Sequence, residues 1–176
     1  LVGSEMCIRD RYKVEDRLLH FTSSLAFKDN MYFLTADGDV YCHQAASQKI
    51  TKVAALSTIA GKTAPTGNFL LKNKWVILTN TGVYNYDLNS HRISVDADLN
   101  VKNGEVIRDN HGDFWIYNHT GHVTYILAKN GAKKEFQLIP EDKLGYIDYE
   151  RYHMVHDSRG IIWISTYGNG LFAYDT

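Results

Sequence analysis

The chain has 176 residues, of which 44% are hydrophobic and 22% charged, and its formal net charge at pH 7 is −1. This composition is that of a folded domain with a sizeable core, and it excludes wholesale disorder. Because no block of basic residues is present, nucleic acid is not an expected partner. No apolar run reaches the ~18 residues of a membrane helix, so we expect this segment not to insert into a membrane.

The N-terminal segment, residues 1–11, has a sequence unlike the rest of the chain. Its letters, LVGSEMCIRDR, resemble a translated sequencing-adaptor read-through, and position 1 is not Met. We therefore expect residues 1–11 to be non-native and the native fold to occupy residues 12–176; the alternative is a genuine strand remnant. Cys7 and Cys42 are too few for a disulfide framework and lack metal-ligand spacing.

A repeat occupies the remainder of the chain. Its four copies are marked by Tyr32, Trp75, Trp115 and Trp163, at intervals of about 40–50 residues. The last two copies share the pattern Asp-x-x-Gly-x-x-Trp-Ile, which falls on Asp109, Gly112 and Trp115 and on Asp157, Gly160 and Trp163. The last copy continues to a second turn glycine, Gly170.

Each copy of the repeat predicts about four short strands. Asp-x-x-Gly forms a tight turn, because the Asp side chain bonds backbone N–H groups ahead of it and Gly adopts a positive φ. Strand-forming residues follow, and four-stranded sheets repeated radially form a β-propeller. We therefore predict an all-β fold, a partial β-propeller of about four blades of four-stranded antiparallel sheets in an open arc. The predicted blades span approximately residues 21–55, 66–97, 104–140 and 149–176.

The recurring tryptophans have a structural role in this prediction. A blade buries both faces against its neighbours, so a large ring at a fixed register fills the space between blades. We expect Trp75, Trp115 and Trp163 in equivalent buried positions. At the C-terminal end of the arc we expect exposed apolar side chains on or near Trp163 and Phe172.

The extended pattern Asp-x-x-Gly-x-x-Trp-Ile-x-Thr-x-x-x-Gly-Leu-x-x-Tyr-Asp resembles the repeat of the two-component regulator propeller family. Residues 157–175 match it almost in full, and residues 109–126 match its first half, with Tyr117 where Gly or Ser is usual. The copies around Tyr32 and Trp75 are degenerate. In all, the resemblance covers roughly residues 21–176.

The resemblance implies a functional setting for these blades. In that family they form the periplasmic sensor of Bacteroidetes hybrid histidine kinases, which are inner-membrane proteins. It implies an oligosaccharide ligand derived from a polysaccharide, and a kinase elsewhere in the polypeptide. It also implies that the remaining blades and downstream domains are partners, with a homodimer at full length.

The candidate ligand site lies at one end of the blades. The turns between the second and third strands share one face of a propeller, and here they are rich in residues suited to sugar hydroxyls. The candidate ligand-binding residues are Asn80, Tyr117, Asn118, His119, Tyr167 and Asn169. The Asp-x-x-Gly turns belong to the opposite face and are interpreted as structural.

Enzymatic chemistry has no clear sequence support. The histidines lack the spacing of a metal site, and no nucleophile elbow or phosphate-binding glycine loop occurs. We therefore expect no catalytic residue, no metal and no cofactor, and a binding module rather than an enzyme. The alternatives are a carbohydrate-active or quinoprotein-type enzyme on a propeller scaffold, and a protein-binding propeller.

Overall fold

A computed structural model describes residues 13–14, 17–99, 101–118, 122–137, 153–166 and 170–175. Within these ranges the chain is almost entirely β-structure, with one four-residue helix, α1 (Ser57–Ala60). None of the described helical structure is long and apolar enough to cross a membrane. The segment expected to be non-native, residues 1–11, lies outside the described residues.

Seventeen strands are described, and most belong to four larger sheets. A small hairpin comes first, with β1 (Lys13–Val14) and β2 (Arg17–Leu18). The first sheet contains β3 (Phe21–Phe27), β4 (Asn30–Thr35), β5 (Asp39–Gln44) and β6 (Lys49–Ala55). The second sheet contains β7 (Pro65–Leu71), β8 (Lys74–Thr79), β9 (Val83–Asp87) and β10 (Arg92–Val95).

The third and fourth sheets repeat this plan. The third contains β11 (Glu105–Arg108), β12 (Phe114–Tyr117), β13 (His122–Ile126) and β14 (Lys133–Gln137). The fourth contains β15 (His153–His156), β16 (Ile161–Thr166) and β17 (Gly170–Asp175). In every sheet the strands pair antiparallel in chain order, so each sheet is a meander.

Successive sheets pack face to face through separate cores. The first core joins the first and second sheets, the second core joins the second and third, and the third core joins the third and fourth. The first strands of successive sheets lie beside one another, since β11 contacts both β7 and β15. The prediction of an all-β partial propeller in an open arc is confirmed.

The side chains of a second strand alternate between the two hydrophobic cores on either side of its sheet. In β12, Phe114 and Ile116 belong to the second core, whereas Trp115 and Tyr117 belong to the third. Successive side chains of a strand point to opposite faces, so a strand buried on both faces is continuously apolar. This explains the near-continuous burial of β8 and β12.

The expectation that all three tryptophans occupy equivalent positions is wrong for Trp75. Trp115 packs in the core toward the following sheet, whereas Trp75 packs in the core toward the preceding one. The reason is strand parity, which is seen by counting from the threonine that ends the second strand. Trp75 precedes its threonine, Thr79, by four residues, whereas Trp163 precedes the corresponding Thr166 by three. A displacement of one residue moves a side chain to the other face of a sheet.

The Asp-x-x-Gly turn has a second role, which is to hold the tryptophan. Asp109 Oδ1 accepts the backbone N–H groups of His111 (3.0 Å) and Asp113 (2.9 Å), while Oδ2 accepts Trp115 Nε1–H at 2.9 Å. Gly112 has a φ of 87°, in the left-handed region that the turn requires. The six-residue spacing from Asp to Trp is therefore set by a side-chain hydrogen bond.

The fourth sheet uses the same turn in a more exposed setting. Asp157 Oδ2 accepts Trp163 Nε1–H at 3.0 Å, and Oδ1 accepts the N–H groups of Arg159 and Ile161. The hydrogen bond from Trp163 is the largest cause that lowers the pKa of the Asp157 carboxyl below its ordinary value. Trp75 has no such turn before it, and its Nε1–H instead donates to Asn68 Oδ1 at 3.0 Å.

The outer face of the fourth sheet carries exposed apolar side chains near Trp163 and Phe172, as expected, although Phe172 itself faces inward. Phe172 packs against the third core, because it pairs with Ile164 on the inner face. Trp163 is half-buried. The most exposed apolar side chains of this sheet are Val155 (59%) and Leu171 (62%).

Candidate functional site

The turns between second and third strands and the connections between sheets lie at the same end of the sheets. A chain that crosses an antiparallel sheet four times returns to the end from which it started. The turns at residues 36–38 and 80–82 and the connection at residues 56–64 therefore lie at the same end. We call this end of the molecule the connection face.

A cleft of ≈ 720 Å³ opens on the connection face where the first sheet meets the second. This volume is within the ~300–1,000 Å³ that is typical of ligand pockets. Ala36, Ser57, Gly61 and Ala64 contribute small side chains or backbone. The larger lining residues are polar or charged: Asp37, Asp39, Lys52, Lys62, Thr63 and Asn80.

Threonine hydroxyls shape the two turns that border the cleft. Thr79 Oγ1 accepts the backbone N–H groups of Thr81 and Gly82, each at 3.1 Å, and donates to Gly82 O at 2.8 Å. In the first sheet, Thr35 Oγ1 accepts the N–H of Asp39 at 3.0 Å. Both threonines are buried, so they fix where the neighbouring cleft residues stand.

The side-chain amide of Asn80 has a defined orientation. Its Oδ1 accepts the backbone N–H of Ala64 at 2.9 Å and the hydroxyl of Thr63 at 3.1 Å. Since a backbone N–H can only donate, the amide atom that faces it must be the oxygen. This arrangement leaves Nδ2 of the exposed Asn80 as the donor that the side chain can offer to a ligand.

Charges of both signs line the cleft. Lys52 Nζ donates to Asp39 Oδ2 at 2.6 Å and forms an ion pair with it. Asp37 and Lys62 have no hydrogen-bond or ion-pair partner among the residues that the structure describes. The cleft therefore offers the carboxylate of Asp37 and the ammonium group of Lys62 to a ligand, beside the ion pair of Lys52 and Asp39.

Of the six predicted ligand-binding residues, the three that the structure describes do not lie together in one site. Asn80 lines the cleft. Asn118 is half-buried at the end of β12, and its backbone N–H donates to His122 O at 3.4 Å. The three other turn positions, His119, Tyr167 and Asn169, lie outside the described residues.

The prediction for Tyr117 as a ligand-binding side chain is corrected by its burial. The side chain is 3% exposed and belongs to the third core. Its hydroxyl donates to Glu105 Oε2 at 2.6 Å and accepts the backbone N–H of Met154 at 3.3 Å. Strand parity places Tyr117 on the same face as Trp115, so it ties the third sheet to the fourth instead of facing a ligand.

Most of the cleft was not predicted from the sequence. Asp37 and Asp39 follow the second strand of the first sheet, in a copy of the repeat that is degenerate. Lys62 and Thr63 lie in the connection between sheets, which has no counterpart in the repeat motif. The available signal was topological, because four antiparallel strands bring the connection back to the face of the predicted turns.

A second, smaller cleft of ≈ 360 Å³ lies between β7 and β11. Its lining includes the ring pair Phe69–Phe114, with ring centroids 4.4 Å apart, and Val106. Arg108 also lines it, but its Nε–H donates to Gly112 O at 3.0 Å. Fewer polar groups are available here than in the cleft of the connection face.

Comparison with known proteins gives structural likeness without sequence relatives. No family model matches the chain, and no curated protein matches it. The extracellular domain of BT4673, assigned to a hybrid two-component system of B. thetaiotaomicron, superposes with a TM-score of 0.56 at 14% identity over 88% of this chain. A second structure of the BT4673 extracellular domain, described as part of a one-component system, gives a TM-score of 0.57 at 13% identity over 92% of this chain.

These likenesses establish the fold alone. The chain spans 21% and 22% of the two BT4673 structures. The N-terminal domain of Nup159 is as similar in shape, with a TM-score of 0.57 at 11% identity over 89% of this chain and 48% of that one. The chain therefore shares its fold with proteins of different kinds, and a shared fold does not imply a shared function.

Proposed function

We propose that this chain is part of an extracytoplasmic ligand-sensing propeller of a hybrid two-component sensor kinase. In this proposal the cleft on the connection face binds an oligosaccharide derived from a polysaccharide. The signal passes to a kinase elsewhere in the same protein, and the propeller acts in the periplasm. The further blades of the polypeptide cover its open faces, and the full-length protein is a homodimer.

The observation that carries this proposal is the cleft beside Asn80. It has the volume of a ligand pocket, and donors and acceptors converge on it from the turns of two sheets and their connection. Saccharide hydroxyls both donate and accept hydrogen bonds, so they suit a lining that contains carboxylates, ammonium groups and an amide. The repeat motif and the fold shared with a two-component extracellular domain support the sensory setting.

Isothermal titration of the chain against a panel of oligosaccharides tests the proposal. The panel contains cello-, xylo-, manno- and malto-oligosaccharides together with oligogalacturonates. We expect saturable binding of at least one member and weakened binding by Asn80→Ala. The matched control is Asn130→Ala, because Asn130 is an exposed turn asparagine at the opposite end of the third sheet.

Two results would contradict the proposed function. Failure of every oligosaccharide in the panel to bind would remove the ligand class. Shortening of a panel member during incubation, measured by chromatography, would instead indicate an enzyme on this scaffold.

A further inference from the structure

The Asn80 amide is held by a chain of hydroxyl groups that starts inside the second sheet. Thr63, 4% exposed, has its Oγ1 3.1 Å from Asn80 Oδ1 and 3.0 Å from Thr81 Oγ1. Thr81 Oγ1 is in turn 3.2 Å from the hydroxyl oxygen of the buried Tyr84. These contacts connect the edge of the cleft to the first core.

The direction of each hydrogen bond in the chain follows from proton counting. The single hydroxyl proton of Thr63 goes to Asn80 Oδ1, which can only accept. Thr79 Oγ1 already accepts two backbone N–H groups and donates to Gly82 O, which leaves Thr63 and Tyr84 as acceptors for the Thr81 proton. Because Thr63 has given its own proton to Asn80, the contact between Thr63 and Thr81 is a hydrogen bond only if Thr81 donates. Tyr84 then donates to Thr81. The chain runs from Tyr84 through Thr81 and Thr63 to the Asn80 oxygen.

This order fixes Asn80 as a donor toward the cleft. Turning the amide over would place its NH₂ group against the N–H of Ala64, so that two donors would face each other at the 2.9 Å contact. The alternative orientation loses the hydrogen bond from Ala64 and sets two donors face to face, so it is disfavoured. A ligand therefore meets Nδ2–H and must supply an acceptor there.

The other lining groups define the remaining chemistry. Asp37 and Asp39 are balanced by Lys52 and Lys62, so the four charges sum to zero. No aromatic ring is among the lining side chains, so nothing in the described cleft offers a stacking surface for the face of a sugar ring. The polar groups match the edge of a sugar, where hydroxyls can accept from Asn80 and donate to Asp37.

Resting on the proposed function, we propose that the cleft takes an uncharged saccharide edge-on, with Asn80 Nδ2 donating to a hydroxyl oxygen and Thr63 holding the amide in that orientation. Asn80 is the residue that contacts the ligand. Thr63 is a positioning residue that acts through it.

An isosteric substitution replaces the donor by an acceptor and adds one negative charge, and an uncharged ligand is the readout least affected by that charge. Asn80→Asp keeps the oxygen that accepts from Thr63 and Ala64 but replaces the outward NH₂ with an acceptor. We expect an unchanged near-ultraviolet circular dichroism spectrum and a rise of ~10–100-fold in the Kd of the uncharged oligosaccharide that binds the wild type, since one hydrogen bond to the ligand is replaced by two acceptors that cannot pair. The matched control is Asn130→Asp, because Asn130 Oδ1 likewise accepts a backbone N–H, that of Ala132, at 2.9 Å.

A second pair of variants tests the positioning role. Thr63→Val keeps the shape of the side chain and removes its hydroxyl, whereas Thr63→Ser keeps the hydroxyl. We expect Thr63→Val to raise the Kd by ~10-fold, the equivalent of one net hydrogen bond, and Thr63→Ser to restore it to within about 3-fold of the wild type. Equal Kd values for the two variants would refute the positioning role.

The outcomes separate this inference from the proposed function. If no oligosaccharide binds, the proposed function fails. If the wild type binds oligogalacturonates more tightly than uncharged oligosaccharides, or if Asn80→Asp binds as the wild type does, the function stands and the edge-on uncharged ligand is wrong.

Discussion

Replacement of Asp109 by alanine removes the acceptor at the centre of the third-sheet turn. Asp109 accepts hydrogen bonds from the buried N–H of Asp113 and the buried indole of Trp115, besides the more exposed N–H of His111. Each buried donor left without a partner costs about 1–3 kcal/mol. For two such donors we expect Asp109→Ala to lower the local free energy of opening by ~4 kcal/mol.

Native-state hydrogen exchange measures this loss where it occurs. A change of ~4 kcal/mol corresponds to about a 10³-fold faster exchange of the β12 amides, because 1.4 kcal/mol is a factor of ten. Asp109→Asn keeps one acceptor oxygen, so we expect its effect to be about half as large in free energy. Exchange is measured on the same strands in both variants.

The fourth sheet supplies an internal comparison. Asp157 makes the equivalent hydrogen bonds, but in a setting that water can reach. We therefore expect Asp157→Ala to accelerate exchange in β16 by a smaller factor than Asp109→Ala does in β12. Equal factors, or less than a tenfold change for Asp109→Ala, would refute the assignment of the energy to buried donors.

Three further outcomes follow from the structure. The Asp157 carboxyl should remain ionised as the pH falls through 3.8, the ordinary pKa of an Asp side chain. Its contribution to stability is therefore present above pH 3.8 and is lost as the pH falls through the lower pKa of the folded state. A ¹³C NMR titration measures this pKa, and a value at or above 3.8 would contradict the prediction. Gly104→Ala should destabilise the chain by about 1–3 kcal/mol in urea denaturation, because an added Cβ would stand 2.5 Å from Val101 Cγ1. An unchanged urea midpoint would contradict this steric clash. Leu171→Lys should reduce self-association, measured by sedimentation velocity, more than the control Val95→Lys does. The two side chains are similarly exposed, but Leu171 lies on the apolar outer face of the fourth sheet. Equal effects of the two substitutions would argue against association through that face.

The sequence predicted the local parts of this fold well, and for physical reasons. Asp109 and Gly112 specify a turn through their own chemistry, within a few residues of chain. The same is true of Asp157 and Gly160 in the last copy. An all-β meander follows from such turns and the apolar strands between them. Local chemistry therefore suffices for strands, turns and sheet order.

The orientation of Trp75 and the identity of the cleft needed information that the repeat motif does not contain. The face of Trp75 depends on counting from the turn at Thr79, and its copy lacks the Asp-x-x-Gly turn that would have fixed the register. Thr63 and Lys62 belong to the segment between two copies of the repeat. This segment has no equivalent positions in the motif, so comparison of the copies could not identify these residues. Tyr117 was placed at a turn, although strand alternation carries it into the third core.

The opposite orientations of Trp75 and Trp115 give the array a direction. Both rings point away from the gap between the second and third sheets, which is filled by Phe69 and Phe114 instead. If the two sheets exchanged places, both indoles would enter one gap and crowd it. The sheets are therefore not interchangeable modules, and a blade transplanted by duplication or by protein engineering must bring its neighbour's matching face with it.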